Sequence, residues 1–357
     1  MNNKSHDLSV VDETNLLYNY LIANHHNSHT HFERVWRYEY MSRFTEHIKT
    51  LIKLDTFALG IMHLSNSFIN SIAAGKNMLK PGGGKYYTWK HGEVFYHRYG
   101  AGDPLVLIHD LHPAFSSYEW NEVVDALSMD HTVYTVDLPG CGRSSKKKMT
   151  YTNYFYELFL TSFIKDIVKK KCTVIASGYS SSFAITTAAH DESLIDRIVA
   201  VNPKSLNALM RTPTRRSSAA SILIALPVIG TSVYNMSQSR SNIDYAFTEK
   251  YMYNPFRSKN RFTDAFYEGA HFNEGKGKYL LASIQGNTMT VDLSKALRKV
   301  GEKLCIIYGE KAENAEMIAS VYQKEDPSLK IQAVPSAGML PQMENPSEFI
   351  AAFNSLG

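Results

Sequence analysis

The chain has 357 residues, which is enough for one large α/β domain with additions. Its hydrophobic fraction of 44% and charged fraction of 20% are ordinary for a globular protein, and a net charge of +4 is too small to indicate a nucleic-acid partner. The three cysteines lie far apart, which predicts buried thiols in a reducing compartment and excludes a disulfide framework and a cysteine zinc site.

Residues 1–84 are predicted to form a helical extension. Their start carries no apolar leader, and no run in the chain reaches the roughly 18 to 20 apolar residues of a membrane span, so we expect a cytoplasmic protein. Helices are predicted over residues 15–23 and 32–54. A third helix carries an apolar stripe at helical spacing, namely Phe57, Ile61, Leu64, Phe68 and Ile72. Either these helices pack on the main domain, or the third lies on a membrane surface and makes the protein peripheral to it.

Four histidines lie between the first two predicted helices, namely His25, His26, His29 and His31. A metal site is one interpretation of such a cluster, because His25 and His29 would share one face of a helix. We favour solvated loop histidines, since no cysteine lies nearby to complete a typical ligand set. The sequence therefore predicts no metal and no cofactor.

The glycine-rich stretch at residues 81–84 is the clearest break in the chain, and we place a domain boundary there. A β-hairpin is predicted around His91 and Gly92. Further strands are predicted at residues 105–108, 132–136, 172–177, 198–201, 304–308 and 331–334, and helices at 119–127, 154–170, 183–189 and 347–353. This alternation predicts a mostly parallel sheet with helices on both faces.

The stretch at residues 172–189 combines a buried strand, a tight turn and a helix. The turn is Gly178-Tyr179-Ser180-Ser181-Ser182, which has the pattern G-x-S-x-S. Small residues suit such a turn, because the strand and helix backbones nearly touch there. We therefore expect the hydroxyl of Ser180 to project from the end of the sheet.

Five motifs in this order resemble the α/β-hydrolase fold family. They are residues 105–113, the D-L-P-G-C-G-R-S stretch at 137–144, and residues 178–182, 306–310 and 338–346. The resemblance implies an α/β-hydrolase core in two parts, 85–203 and 286–357, separated by a helical cap at 204–285. It also implies an apolar pocket under the cap for a small apolar, acyl or ester ligand.

In this family a serine attacks an acyl carbon, a histidine takes its proton and a carboxylate orients the histidine. Carried over by position, the resemblance implies that Ser180 is the nucleophile and that the N–H groups of Leu111 and Ser181 form the oxyanion hole. The position of the histidine holds Met339, and that of the acid holds Ala312. A thioether accepts no proton at useful pH, and loss of the base alone costs about 10⁶ in turnover.

A relocated base and acid are the alternative. His109, His112 and His271 are candidate bases, with His112 the best placed, and Glu313 or Glu310 could supply the acid. The sequence leaves two functions open. One is a weak or inactive hydrolase, a pseudoenzyme that binds a ligand or partner, and the other is an active ester or acyl hydrolase with a rearranged triad. A third interpretation makes the hydrolase domain a scaffold for interactions of the extension.

Overall fold

The computed structural model describes residues 31–75, 77–79 and 82–356. The helix expected at residues 15–23 and three of the four clustered histidines lie outside this part. The chain divides into two compact units, Met1–Gly60 and Ile61–Gly357. The limits expected for the extension and the cap stay predictions.

One continuous helix, α1 (His31–Ala74), replaces the two helices expected at residues 32–54 and 57–72. The helix continues through the expected break because residues 54–57 contain neither glycine nor proline. Within the helix, Thr56 Oγ1 donates to the carbonyl of Ile52 at 2.7 Å. In the N-terminal unit this helix is supported by ion pairs one turn apart, such as that between Arg43 and Glu39 at 3.0 Å.

Eight strands form one sheet in the second unit. They are β1 (Lys85–Trp89), β2 (Gly92–Tyr99), β3 (Asp103–Ile108), β4 (His131–Val136), β5 (Cys172–Ser177), β6 (Ile195–Val201), β7 (Leu304–Gly309) and β8 (Lys330–Val334). Their order is β1-β2-β4-β3-β5-β6-β7-β8, with β2 antiparallel to both neighbours and all other pairs parallel. The expected mostly parallel sheet and the hairpin around residue 92 are confirmed.

Helices cover both faces of the sheet. They are α2 (Val124–Leu127), α3 (Asn153–Phe163), α4 (Ser180–His190), α11 (Ser294–Val300), α12 (Ala315–Glu325), α13 (Pro341–Glu344) and α14 (Pro346–Ser355). One face packs its apolar side chains against α3, α4 and α11, and the other packs against α2 and α14. The helix expected at 119–127 is a 3₁₀ turn (Ser117–Trp120) followed by α2, and α3 ends in a π turn (Ile164–Val168).

Six helices lie between β6 and α11, which itself precedes β7. They are α5 (Leu206–Leu209), α6 (Arg215–Ala225), α7 (Val228–Ser237), α8 (Arg240–Ala246), α9 (Asn260–His271) and α10 (Lys278–Gln285). Phe247, Phe262 and Phe266 of this insertion pack with Phe115 and Leu340 of the core. Within the described ranges no single helix is long and apolar enough to cross a membrane, although the pair α6 and α7, bent by 104°, meets the criteria of length and composition together.

The loop after β4 is held by a buried ion pair. The Asp137 carboxylate accepts from Arg143 Nε at 2.7 Å and from Arg143 Nη2 at 2.9 Å, and also from the backbone N–H groups of Ser117 and Arg143 at 2.8 Å. The Arg143 guanidinium holds the pKa of this carboxyl well below its usual range despite burial. Ser144 Oγ donates to the Asp137 carbonyl at 2.5 Å. This network fixes the D-L-P-G-C-G-R-S motif against β2, where Phe95 N–H donates to Ser144 Oγ at 2.9 Å.

Candidate active site

Three loops meet at the carboxyl end of the parallel strands. They are the loops after β3 (His109, Asp110 and Leu111), after β5 (Gly178) and after β6 (Asn202 to Lys204). Strands β3, β5 and β6 are neighbours and parallel, so their carboxyl ends lie together at one edge of the sheet. In open α/β sheets this edge is where ligands bind.

The carboxylate of Asp110 occupies the centre of this edge. Its Oδ1 accepts from the N–H of Leu111 at 2.7 Å and from the N–H of Tyr179 at 2.8 Å. Its Oδ2 lies 3.5 Å from the ammonium of Lys204, which also stands over the ring of Tyr179. Asp110 is buried. Its carboxylate is therefore stabilised inside the protein by two converging backbone donors and a nearby cation.

Gly178 lies directly against this carboxylate. Its φ is +55°, and a Cβ built there would stand 2.2 Å from Cγ and Oδ1 of Asp110. Both the left-handed backbone and the contact exclude a side chain at this position without rearrangement. The strained strand-to-helix turn of this protein is therefore at Gly178, and α4 begins two residues later.

Ser180 is not arranged as the sequence led us to expect. It is the first residue of α4, its exposed fraction is 0%, and its Oγ donates to the backbone carbonyl of His109 at 2.6 Å. The hydroxyl proton therefore goes to a peptide oxygen rather than to an imidazole. The expected oxyanion donors are also engaged, because Leu111 N–H binds Asp110 Oδ1 and Ser181 N–H points to the carbonyl of Gly178 at 3.4 Å.

The turn that carries Met339 is tied to the end of β6. Asn202, the first residue after β6, donates from Nδ2 to the Met339 carbonyl at 2.8 Å and accepts at Oδ1 from Gly309 N–H at 3.3 Å. Ala312 lies in the turn after β7, where its N–H donates to Gly309 O at 2.9 Å. A neutral amide thus binds the backbone between the two positions where a histidine and an acid would meet.

The candidate histidines are all engaged in local contacts. His109 accepts from Leu138 N–H at Nε2 (3.0 Å), so its Nδ1 carries the proton and donates to the carbonyl of Asp110 at 2.7 Å. His112 Nδ1 accepts from Ala114 N–H at 3.3 Å, and burial lowers its pKa to about 4. His271 Nδ1 pairs with the carbonyl of Tyr267 at 2.8 Å on α9, and burial lowers its pKa as well.

The candidate acids are exposed and are held by nearby groups. Glu310 Oε2 accepts from Ser336 N–H at 3.1 Å, and this hydrogen bond, followed by Lys311, lowers its pKa. Glu313 accepts from the side chain of Asn314 at 3.4 Å. Each carboxylate therefore stabilises its own turn, and the structure does not pair them with His112 or with Ser180.

A buried glutamate that the sequence did not single out joins the loop after β3 to the C-terminal turn. Glu119 accepts from Asp110 N–H at 2.8 Å and from Gln342 Nε2 at 2.6 Å. Burial, followed by the charge of Asp110, raises the pKa of Glu119 to about 8. Gln342 Oε1 is buried and has no partner among the described residues.

We expect Glu119 to make stability fall as pH rises. The carboxyl of the unfolded chain loses its proton near pH 4.5, whereas the folded protein keeps this proton up to about pH 8. Between these values the native state binds more protons than the unfolded state, so this group lowers the free energy of unfolding by up to about 1.4 kcal/mol per pH unit as pH rises. In Glu119→Gln this slope should disappear, since the amide cannot ionise and its N–H can face Gln342 Oε1. Urea unfolding at a series of pH values measures it. Glu313→Gln, at an exposed site, should keep the wild-type slope, and an unchanged slope in Glu119→Gln would contradict the assignment.

Two cavities formed by the described residues do not include the residues at the centre of this edge. One of about 290 Å³ lies at the opposite end of the sheet and is lined by Arg197, Cys305 and Lys330 among others. The other, of about 210 Å³, lies beside Trp120 and Arg143. Neither is lined by Asp110, Gly178 or Ser180.

The family model of the alpha/beta hydrolase family matches residues 105–353. The chain belongs to the alpha/beta hydrolase family. It is 29% identical over 99 residues to the soluble epoxide hydrolase of a Corynebacterium species, a match that covers 28% of this chain and 34% of that protein. It is 26% identical over 135 residues to an uncharacterized protein of Mycobacterium tuberculosis, with 36% and 39% covered. The chain thus spans between a third and two fifths of the length of these curated relatives.

Solved alpha/beta hydrolase structures resemble the chain over most of its length. A serine hydrolase involved in carbazole degradation superposes with a TM-score of 0.63 at 17% identity, covering 76% of this chain and 97% of that one. An epoxide hydrolase without ligand gives 0.61 at 17% identity, covering 77% and 99%. At such identities the likeness shows the fold alone, and it confirms the expected α/β-hydrolase fold.

Within this member of the alpha/beta hydrolase family, the sequence did not reveal the strained backbone of Gly178 or the partners of Asp110. One signal was present: residues 176–180 read Ala-Ser-Gly-Tyr-Ser, which also has small residues on either side of a central position. The pattern of small residues therefore allows two registers, two residues apart. The two registers differ in which residue takes the positive φ of the turn, and that angle, +55° at Gly178, is not visible in a sequence.

Proposed function

We propose that this protein is a non-catalytic member of the alpha/beta hydrolase family, in which a carboxylate fills the former active site. The observation that carries the proposal is the pair of hydrogen bonds from Leu111 N–H and Tyr179 N–H to Asp110 Oδ1. In the hydrolase elbow, the oxyanion donors are the N–H of the residue after the nucleophile and an N–H of the loop after the third strand. Two donors from these loops converge here on one side-chain oxygen.

This pairing supports Gly178 as the nucleophile position. If Tyr179 supplies the donor that follows the nucleophile, the nucleophile position is Gly178, which also has the strained φ of +55°. Glycine has no side chain to attack a substrate, and the Asp110 carboxylate takes the space of that side chain. Met339 and Ala312 occupy the positions of the histidine and the acid. No position of the triad then holds a catalytic group.

The rate enhancement of an active serine hydrolase gives the scale of the catalytic loss that we propose. Without a nucleophile and base, only the oxyanion hole and substrate binding would remain, worth about 10³ over water. Here the oxyanion donors are also occupied, by a group with a negative charge that repels a developing oxyanion. We therefore infer that the protein acts by binding and not by turnover. The expected small apolar, acyl or ester ligand under a cap stays a prediction, as does a cytoplasmic location, which the three buried free thiols support.

The alternative is an active ester hydrolase that uses Ser180 with a relocated base. The intact serine favours it, and hydrolysis of short-chain nitrophenyl esters tests it. We expect wild type and Ser180→Ala to show the same rate, equal to that of an unrelated protein at the same concentration. Turnover that Ser180→Ala abolishes would establish the alternative.

Removing the carboxylate should open a small anion site. In Asp110→Gly the N–H groups of Leu111 and Tyr179 lose their buried acceptor and Lys204 loses its partner, so we expect a loss of about 2–4 kcal/mol in the free energy of unfolding. Formate or acetate fits the vacated donors and should restore part of this loss in a concentration-dependent way. Chemical unfolding with added formate, against chloride at equal ionic strength, measures the effect.

Asp110→Asn is the matched control for this experiment. Its amide oxygen can still accept from Leu111 N–H and Tyr179 N–H, so the site stays filled and formate should not stabilise it. Wild type should also be insensitive to formate. Equal stabilisation of all three proteins would show that the carboxylate does not fill an anion site.

A further inference from the structure

The larger cavity lies at the amino ends of three neighbouring parallel strands. Its volume is about 290 Å³, and its lining includes Arg197 near the start of β6, Lys303 just before β7 and Lys330 at the start of β8. A water molecule takes up about 30 Å³ in the liquid, so the cavity has room for a ligand of several heavy atoms. We call these three side chains the basic cluster.

Two observations place Arg197 and Lys330 on the face of the sheet that packs against α14. Lys330 is paired in register with Cys305, so their side chains point to the same face, and Cys305 packs in the apolar cluster that contains α14. The guanidinium of Arg197 stands 5.2 Å from the centre of the Phe353 ring on α14. Burial raises the pKa of the Cys305 thiol, and the charges of Arg197 and Lys330 oppose this rise, so both cations lie near it.

Positive charge is in excess in this cavity. Its carboxylates are those of Asp196 and Glu302, and Asp196 is already paired with Lys171 at 2.9 Å. No side chain of the basic cluster forms an ion pair within 4.0 Å in the part of the chain that the structure describes. With Lys171 included, four cations lie against two carboxylates. The cavity therefore attracts anions, and the basic cluster has charge available to bind one.

The number and spread of these cations favour a phosphate group over a carboxylate. A phosphate carries up to two negative charges and presents three acceptor oxygens, so each cation of the basic cluster can bind a different oxygen. A carboxylate has one charge and two oxygens. Leu356 and Cys305, which also line the cavity, are buried and apolar, and they offer a surface to a non-polar body attached to the phosphate.

We propose that this cavity binds a small phosphomonoester. The basic cluster holds the phosphate group by charge-assisted hydrogen bonds, and the body of the ester lies against Leu356. The site lies at the amino ends of the strands, whereas the former active site lies at their carboxyl ends. The proposal is therefore independent of whether the protein is catalytic.

Isothermal titration calorimetry of the full chain with phenyl phosphate tests the proposal. Wild type should bind phenyl phosphate about tenfold more tightly than benzoate, which lacks the third oxygen and the second charge. Arg197→Gln, Lys303→Gln and Lys330→Gln should each weaken this binding about tenfold, because each removes one charge-assisted hydrogen bond. Glu302→Gln should strengthen it by up to about fivefold, because it removes a like charge from the lining.

Inorganic phosphate is the probe for the phosphate group alone. It should bind more weakly than phenyl phosphate, because only the ester has a ring to place against the apolar lining. The variants of the basic cluster should weaken the binding of both ligands to the same extent. Equal binding of the two ligands by wild type would restrict the site to a phosphate ion and overturn the assignment of an ester.

Matched controls remove exposed cations near the other edge of the sheet. Lys85→Gln at the start of β1 and Arg98→Gln on β2 change the net charge equally but lie outside the cavity, so they should bind phenyl phosphate as wild type does. None of the substituted side chains is buried, so circular dichroism should match wild type. Absence of saturable binding at millimolar phenyl phosphate, or equal weakening by Lys85→Gln and Lys330→Gln, would overturn the proposal. The basic cluster would then serve only the carboxyl end of α14, where positive charge is stabilising.

Discussion

Gly178→Ala is expected to lower the free energy of unfolding by about 3 kcal/mol or more. Two costs combine at this position. A Cβ in the left-handed region is strained, and it would stand 2.2 Å from Cγ and Oδ1 of Asp110, so the carboxylate must leave its two backbone donors. Urea unfolding followed by tryptophan fluorescence measures the loss.

Gly83→Ala separates the two costs. Gly83 also has a positive φ, +87°, but no atom within 4 Å of a built Cβ, so its substitution should cost only the backbone term of about 1–2 kcal/mol. Adding Asp110→Gly to Gly178→Ala should then destabilise by clearly less than the sum of the single changes, because the contact between the two side chains is gone. Equal costs at Gly178 and Gly83, with additive double substitution, would show that the carboxylate does not occupy the space beside Gly178.

Asp137→Asn is expected to cost about 3–5 kcal/mol, because it leaves the buried guanidinium of Arg143 without its counter-charge. The same change removes a carboxylate oxygen from the backbone N–H groups that it holds in the loop after β4. Guanidinium chloride or urea unfolding measures the loss, since both give the free energy in water by linear extrapolation.

Asp196→Asn is the matched control for Asp137→Asn. Asp196 pairs with Lys171 at 2.9 Å, but both side chains are exposed, so its substitution should cost less than about 1 kcal/mol. Similar losses at the two positions would mean that the buried pair contributes no more than a surface pair does.

The sheet and its helices could be predicted from the sequence because each strand is a short apolar run with a turn signal at its end. Residues 172–177, 105–108 and 304–308 were placed within two residues of the observed bounds. The order of the motifs also predicted the fold of the alpha/beta hydrolase family, which the family model confirms. The local sequence pattern was sufficient for the sheet, because a parallel strand that is buried on both faces has to be a nearly continuous apolar run.

The candidate site was less predictable, because it depends on backbone angles and on contacts between distant residues. The choice between Gly178 and Ser180 depends on one φ angle, and the role of Asp110 depends on a donor, the N–H of Tyr179, that is 69 residues away from it in the chain. The exposure of Leu64, Phe68 and Ile72 on α1 was equally hidden, since periodicity gives the two faces of a helix and not which of them is inward. The expectation of a solvent-facing serine followed from the more familiar G-x-S register.

Reaction with a fluorophosphonate probe, read by intact mass and peptide mapping, tests most directly the claim that no activated serine remains. The probe forms a stable adduct only with a serine whose hydroxyl is activated by a base and can be reached. We expect no adduct on wild type, because Ser180 is fully buried and donates its proton to the His109 carbonyl. An adduct on Ser180 of the folded protein, absent from Ser180→Ala, would contradict the account and restore an active hydrolase with a rearranged triad.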